Sequence, residues 1–419
     1  MEMAHQLKDR REESLADASN YQIPLEPYRN QDWFDKEREH IFRRAWLLIG
    51  RVEEVAEPGD YVVKQVEVLQ ASALIVHGKD GEIRAFHNVC PHRANQVVWD
   101  DKGSTPVFVC KYHNWAFNTD GKVRAIPDQD AFAHVDKERC GLPPINMEVW
   151  DGWIFLNFAH TPEISLDEFL GGMKDYLSGV EYINAEAPIV IQANLKCNWK
   201  VVADAFAEAY HIPAIHAKSL KTRFSNQDNP FGRPLMLAEV APHGVNSMFG
   251  NTEFAPTPGQ PVEALLYGPG KRSEEALADM ARFAEHQAVN PTKTKAWSMD
   301  VNYIFPNTNL DFNPLGFFSH QFWPVALNET RHEARFYVGK AHNIRDRFSI
   351  EHRMALAVDI VLEDLSNVER TQRGINSGAS EFMNISDSEL LIRTQTDHIA
   401  AWVNAPSAKE ALNVSDSAK

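Results

Sequence analysis

Two textures of hydrophobic and polar positions divide this chain, and the change between them falls near residue 160. Residues 1–45 open on a charged stretch and run into FDKEREHIFRRAWLLIG, where Phe34, Ile41, Phe42 and Trp46 recur at helical spacing and predict a lead-in helix. From 46 to 162 the runs DYVVKQVEVL, SALIVHG, PVFVC and GWIFLNF are short and apolar or alternating, with the turn signals GKDGE and NTDGK among them. That pattern predicts a small antiparallel β domain. From 163 to 419, FFSHQFWPVAL and ARFYVGKA read as strands, while SEEALADMARFAEHQA and RMALAVDIVLEDLSNVERTQ carry helical period. The second domain is therefore expected to be α+β, a sheet with helices packed on it. The closing NVSDSAK reads as a frayed tail.

Composition narrows the class. With 44% hydrophobic and 24% charged residues over 419 positions, the chain can bury two cores. A formal net charge of -16 argues against nucleic acid, which asks for a basic face, and favours docking of a basic protein surface. Four cysteines do not make a disulfide scaffold. Residues 1–13 are too charged for a signal peptide, and no apolar run reaches the roughly 18 residues that span a bilayer, so a cytoplasmic location without membrane contact is expected.

Two of the four cysteines stand in NVCPHRANQVVWDDKGSTPVFVCKYHNW, each with a histidine close behind: Cys90-x-His92 and, seventeen residues further, Cys110-x-x-His113. Two thiolates and two imidazoles suit tetrahedral zinc. A zinc finger, however, pairs like with like, whereas here each half gives one Cys and one His. That mixed order suits a [2Fe-2S] cluster of the Rieske kind, with Cys90 and Cys110 on one iron and His92 and His113 on the other. The stretch resembles the Rieske non-haem iron oxygenases, specifically the large (alpha) terminal-oxygenase subunit of ring-hydroxylating dioxygenases. Their C-x-H-R and C-x-Y-H-x-W stand here as Cys90-Pro91-His92-Arg93 and Cys110-Lys111-Tyr112-His113-Asn114-Trp115. Respiratory Rieske proteins carry two further cysteines at the positions of Asn95 and Tyr112, so the oxygenase type fits better. Asn114 replaces the usual glycine, and asparagine tolerates the left-handed backbone a turn needs there.

A second site is expected in NWKVVADAFAEAYHIPAIHAKSL, residues 198–220. Treated as one helix from Trp199, it places Trp199, Phe206 and Tyr210 on one face and Asp204, Glu208 and His211 on another. Pro213 would end that helix near Ile212, leaving His216 to fold back towards His211. The resemblance implies that His211 and His216 bind a mononuclear Fe(II), with an Asp far downstream completing a facial triad. In VLEDLSNVERTQ, Asp364 shares an edge with Ile360, Val361 and Val368, whereas Glu363 points the other way and reads as a solvated charge. Asp364 is the expected ligand. Glu208 matches the acidic residue that, in the family, bridges a Rieske histidine of one subunit to an iron-bound histidine of its neighbour.

The resemblance further implies a helix-grip, START-like catalytic domain and a homotrimer, with or without a small beta subunit. No G-x-G-x-x-G follows a strand, so NAD(P)H and flavin are expected on a separate reductase, working with or without a ferredoxin. O2 would be the co-substrate and an apolar, aromatic ring compound the substrate, as in aromatic hydrocarbon catabolism. A monooxygenating relative, such as an N- or O-demethylase or a betaine-type enzyme, is the alternative. A non-catalytic electron carrier or zinc protein would leave the triad unexplained. Aromatics in Met248-Phe249, Tyr303-Ile304-Phe305 and 317–323 are candidates for either the pocket or the core.

Overall fold

Each alternating run ahead of residue 160 forms a strand. Asp60–Val66, Ala71–His77 and Ile83–His87 pair as an antiparallel meander, which continues through Pro144–Trp150, Trp153–Asn157 and Leu47–Arg51, while Lys102–Ser104 closes the far edge. Val107–Val109, Ala116–Asn118 and Val123–Ala125 make a second, three-stranded sheet. Because side chains alternate along a strand, Tyr61 with Val63 and Leu74 with Val76 share a face. That face packs on Phe108, Trp115, Phe117 and Val123 from the smaller sheet. Each fully buried aliphatic or aromatic side chain of this kind stabilises the fold by about 1.5–3 kcal/mol.

The protein was analysed as a computed structural model that describes residues 8–9, 21–182, 188–266 and 273–417. It divides into two units, Arg38–Leu166 and the combination of Met1–Glu37 with Asp167–Lys419. The lead-in helix is Gln31–Glu37, followed by a wider π-type turn at Arg38–Phe42. Trp46 lies beyond both, its indole donating to the Ile164 carbonyl at 3.0 Å, so it belongs to the start of the strand Leu47–Arg51.

The larger unit is built on an eight-stranded antiparallel sheet. Six of its strands follow one another as neighbours: Met236–Val240, His243–Phe249, Trp297–Ile304, Thr308–Asn313, Gly316–Ala326 and Glu329–Tyr337. Ile189–Leu195 pairs with the last of these, and Lys8–Asp9 with the first. The long helix Ile344–Asn376 grips this sheet; its start is capped by Asn343, whose side chain accepts from the backbone N–H of Arg345 and Asp346. Helix Glu274–Glu285 also forms where the periodicity placed it. The closing segment, expected to fray, continues the helix Ala408–Ser417 up to Ser417, and residues 418–419 lie outside the described residues. No described helix is long and apolar enough to cross a membrane.

The segment 198–220 departs from its expected form. Its helix stops at Ala205, and a second, one-turn helix covers Ile212–Ile215. Pro213 sits in the first turn of that short helix, where its missing N–H removes no intrahelical bond, so it starts a helix rather than ending one. Tyr210 is exposed while Trp199 is buried, so the two do not share one face.

Candidate redox and metal centres

Two loops of the same construction carry the four Cys and His residues. In the first, the Cys90 N–H donates to the Asn95 carbonyl at 2.8 Å and the Ala94 N–H to the Cys90 carbonyl at 2.9 Å. In the second, the Cys110 N–H reaches Trp115 and the Asn114 N–H reaches Cys110, both at 2.9 Å. Each loop turns through one left-handed residue, Ala94 at φ 57° and Asn114 at φ 59°. Asn114 therefore adopts the conformation glycine would supply. The base of the first loop is pinned by buried Asn88, which accepts from the N–H groups of Val97 and Val98 and donates to the Val98 carbonyl.

Cys90 and Cys110 are buried side by side, and the rings of His92 and His113 lie 4.5 Å apart. His92 stacks on Trp115 at 5.1 Å, and its buried Nδ1 has no hydrogen-bond partner. Burial pushes the Cys90 thiol up to about 11, against a downward pull from the backbone N–H groups of His92 and Arg93. A buried thiol with amides aimed at its sulfur and an orphaned imidazole nitrogen nearby are what an iron-sulfur cluster would satisfy. A single ion would gather the ligand atoms together. Among the described residues the one group of three or more whose ligand atoms lie within 4.8 Å of one another is elsewhere. One Cys and one His on each of two like loops fits two metals, thiolates on one and imidazoles on the other, rather than one tetrahedral zinc.

That other group is His211, His216 and Asp364. His211 and His216 flank the one-turn helix Ile212–Ile215, and Asp364 comes from the long helix on its buried side. The segment's start is anchored by buried Glu37, which accepts from Trp199 Nε1 at 2.9 Å and from Lys200 Nζ at 2.5 Å. His211 Nε2 and His216 Nε2 approach the same oxygen, Asp364 Oδ1, at 3.3 and 2.7 Å. Their Nδ1 atoms point outward to carboxylates. His211 Nδ1 donates to Glu208 Oε1 at 2.5 Å, and His216 Nδ1 donates to Glu363 Oε2 at 2.6 Å. Burial works against charge on His211, yet Asp364 and Glu208 raise it to about 10. Burial likewise opposes ionisation of Asp364, and the two histidines overcome it and lower its pKa. Three carboxylates around two imidazoles suit a cation, and a divalent iron fits this donor set.

Two expectations change here. Glu363 is not a solvated charge: the chain at 216–219 folds over it, so that His216 and Ser219 both donate to Oε2, and its side chain is only 31% exposed. Asp204 does not join Glu208 and His211, because the break at Ala205 turns it to the Tyr28 hydroxyl at 2.8 Å, and burial raises it to about 7. Glu208 does meet His211, and its other oxygen accepts from the backbone N–H groups of Tyr210 and His211.

The triad opens into a cavity of about 430 Å³ whose wall includes Phe206, Met248, Trp297, Phe317, Phe318 and Tyr337. Thus Met248 and part of 317–323 line the pocket, whereas Tyr303, Ile304 and Phe305 are core. A polar series lies behind Phe206, and only His320 of it falls in the stretch 317–323 singled out from the sequence: His320 Nδ1 and His332 Nε2 are 3.0 Å apart, and Asp311 Oδ2 is 3.6 Å from His320 Nε2. On neighbouring strands His320 stands opposite Ala334 and His332 opposite Phe322, a diagonal pairing that only the register reveals.

The family described as "Ring hydroxylating alpha subunit (catalytic domain)" matches residues 168–405, and the "Rieske [2Fe-2S] domain" matches residues 45–140. The chain belongs to the family of Rieske oxygenase alpha subunits. It is 30% identical over 203 residues to the glycine betaine monooxygenase oxygenase subunit of Pseudomonas aeruginosa, covering 48% of this chain and 46% of that one. It is 30% identical over 195 residues to the carnitine monooxygenase oxygenase subunit of Escherichia coli, covering 46% and 52%. With the chlorobenzene dioxygenase subunit alpha of a Cupriavidus species, identity is 33% over 190 residues, covering 44% and 42%. These matches span about half the length of each curated relative. Among solved structures, the quaternary ammonium Rieske monooxygenase CntA superposes with a TM-score of 0.71 at 21% identity, covering 91% of this chain and 95% of that one. Naphthalene 1,2-dioxygenase from a Rhodococcus species bound to indole gives 0.73 at 21% identity, covering 95% and 98%.

Proposed function

We propose that this chain is a terminal oxygenase that takes electrons from a separate NAD(P)H-dependent reductase, with or without a ferredoxin, and inserts oxygen from O2 into an organic substrate with an apolar body. His211, His216 and Asp364 would hold a mononuclear iron, and Cys90, His92, Cys110 and His113 the cluster. The observation that carries the reading is the convergence of two imidazole Nε2 atoms and one carboxylate at the end of an apolar cavity. When bound, a Rieske cluster supplies single electrons and an iron held by a facial triad offers open positions for O2.

The chain's own residues do the rest. The aromatic wall excludes water and gives an apolar substrate a flat surface to lie against. Glu208 fixes the His211 ring through Nδ1, leaving Nε2 turned to the metal position. In a ring of three subunits, Glu208 would also link His211 to His113 of a neighbour. A second reading, insertion of one oxygen atom beside a quaternary nitrogen, is favoured by the glycine betaine and carnitine enzymes among the relatives. The aromatic part of the wall would serve either substrate, since aromatic faces also hold a quaternary ammonium by cation–π attraction.

Asp364→Ala is expected to lose substrate oxidation completely while the visible absorption of the cluster and its reduction persist; turnover at wild-type rate would defeat the ligand assignment. With 18O2, reductase and either chlorobenzene or carnitine, two labelled atoms per product would mark a diol and one a monooxygenation. Coupled O2 uptake with only one of the substrates chooses between the readings.

A further inference from the structure

Glu363 stands next in sequence to a proposed iron ligand, yet its side chain points to the far side of a different one. Oε2 receives His216 Nδ1 at 2.6 Å and the Ser219 hydroxyl at 2.5 Å, while His216 Nε2 faces Asp364 Oδ1 at 2.7 Å. The His216 side chain is 2% exposed, so nothing from solvent competes for its ring nitrogens. The two histidines are thus treated alike: each turns Nε2 to Asp364 and donates Nδ1–H to a glutamate, Glu208 for His211 and Glu363 for His216. For Glu208 the family offers a role in electron transfer. Nothing assigns one to Glu363.

We infer that Glu363 is the positioning residue for His216: its carboxylate holds the proton on Nδ1, presents the Nε2 lone pair to the metal, and fixes the plane of the ring. The physical basis is the imidazole itself. Neutral histidine carries one N–H, and an acceptor-only carboxylate on one nitrogen leaves the other as the metal-binding atom. The carboxylate also polarises the ring and strengthens it as a ligand. Ser219 holds the carboxylate against rotation, because its hydroxyl donates to the same oxygen. Since Glu363 and Asp364 are consecutive on one rigid helix, the ligand and the group that orients its partner ligand are set by the same backbone. Placing both acids side by side lets one helix clamp His216 from its two nitrogens.

This inference rests on the reading of His211, His216 and Asp364 as a metal triad, and the test separates the two. Co(II) is titrated into the cluster-loaded protein freed of its mononuclear metal, and its d–d absorption reads both affinity and ligand field. Wild type is expected to bind one Co(II) beyond the cluster, and Asp364→Ala to lose it. Glu363→Ala is expected to weaken Co(II) binding about 10- to 100-fold and to shift the d–d bands, with cluster absorption and melting temperature unchanged. Glu363→Gln is expected to bind within about threefold of wild type, since its amide oxygen accepts the same N–H. If Glu363→Ala does not fold, Glu363→Asp, which withdraws the carboxylate by one methylene, is expected to weaken binding as well. Wild-type affinity and bands in the Ala or Asp variant, with Asp364→Ala still defective, would overturn the role of Glu363 and leave the triad standing. Absence of Co(II) binding in wild type would overturn the triad and this inference with it.

Discussion

His243 shows how one buried titratable group sets a pH response. Its Nδ1 accepts the Phe305 N–H at 3.1 Å, its Nε2–H donates to the Phe169 carbonyl at 2.9 Å, and Phe169 packs edge-on at 5.3 Å. Burial pushes it down to about 3, against about 6.5 when unfolded. Below pH 6.5 the unfolded chain takes up a proton that the folded one refuses. The stability due to this group is therefore complete above 6.5 and declines as pH falls towards 3. His243→Gln keeps hydrogen-bonding capacity and removes the titration. The stability gap between wild type and this variant, from urea melts, is expected to narrow from pH 7 to 5, at a limiting slope of about 1.4 kcal/mol per pH unit. A constant gap would contradict the assignment. At the residue scale, proximity was legible where a motif tied residue type to spacing: His92 and His113 come together, as do Cys90 and Cys110. It was not legible at Glu363, because helical phase alone sets which face a residue occupies and says nothing of a loop folded over that face.

Among the elements, the ligand-bearing segment depends on its ends. Helix Trp199–Ala205 has seven residues, too few to stand on hydrogen bonds alone. Its cap, Asn198, is fully buried; the side chain accepts from the Lys200 N–H at 3.1 Å and donates to the Leu327 carbonyl at 2.9 Å. Asn198→Ala removes a cap and strands a carbonyl in the interior, so a loss of about 1–3 kcal/mol is expected. Chemical denaturation measures it, and a loss below about 0.5 kcal/mol would show that packing holds the helix without its cap. Strands with clear alternation and helices with sustained period were readable from the sequence, Ile344–Asn376 among them. The stretch 206–211 was not. There Glu208 takes the backbone N–H groups of Tyr210 and His211, a local bond that competes with the helix, and no periodicity reveals which of the two wins.

For the molecule as a whole, the proposed cluster ligands and the proposed iron ligands belong to different units of the chain, Arg38–Leu166 and the remainder. The proposed electron path then has two forms: within one chain, or from the cluster of one subunit to the iron of the next. Mixing defective chains separates them. Cys110→Ala chains lack the cluster and keep the triad, while Asp364→Ala chains keep the cluster and lack the triad. Each is expected to be inactive alone. Coexpressed in equal amounts and assembled at random, they have no intact path within any chain. Between chains of a closed head-to-tail ring, half the sites keep their triad and half of those face a neighbour with a cluster, so about one-quarter of wild-type turnover is expected. The measurement is substrate oxidation per subunit, with both variants checked for the same assembly as wild type. Activity near zero in mixed oligomers would place the path within a chain and remove the neighbour's Glu208 from it. Recovery to about a quarter would mean that the oligomer is part of the catalyst, because no single chain then supplies both ends of the electron path.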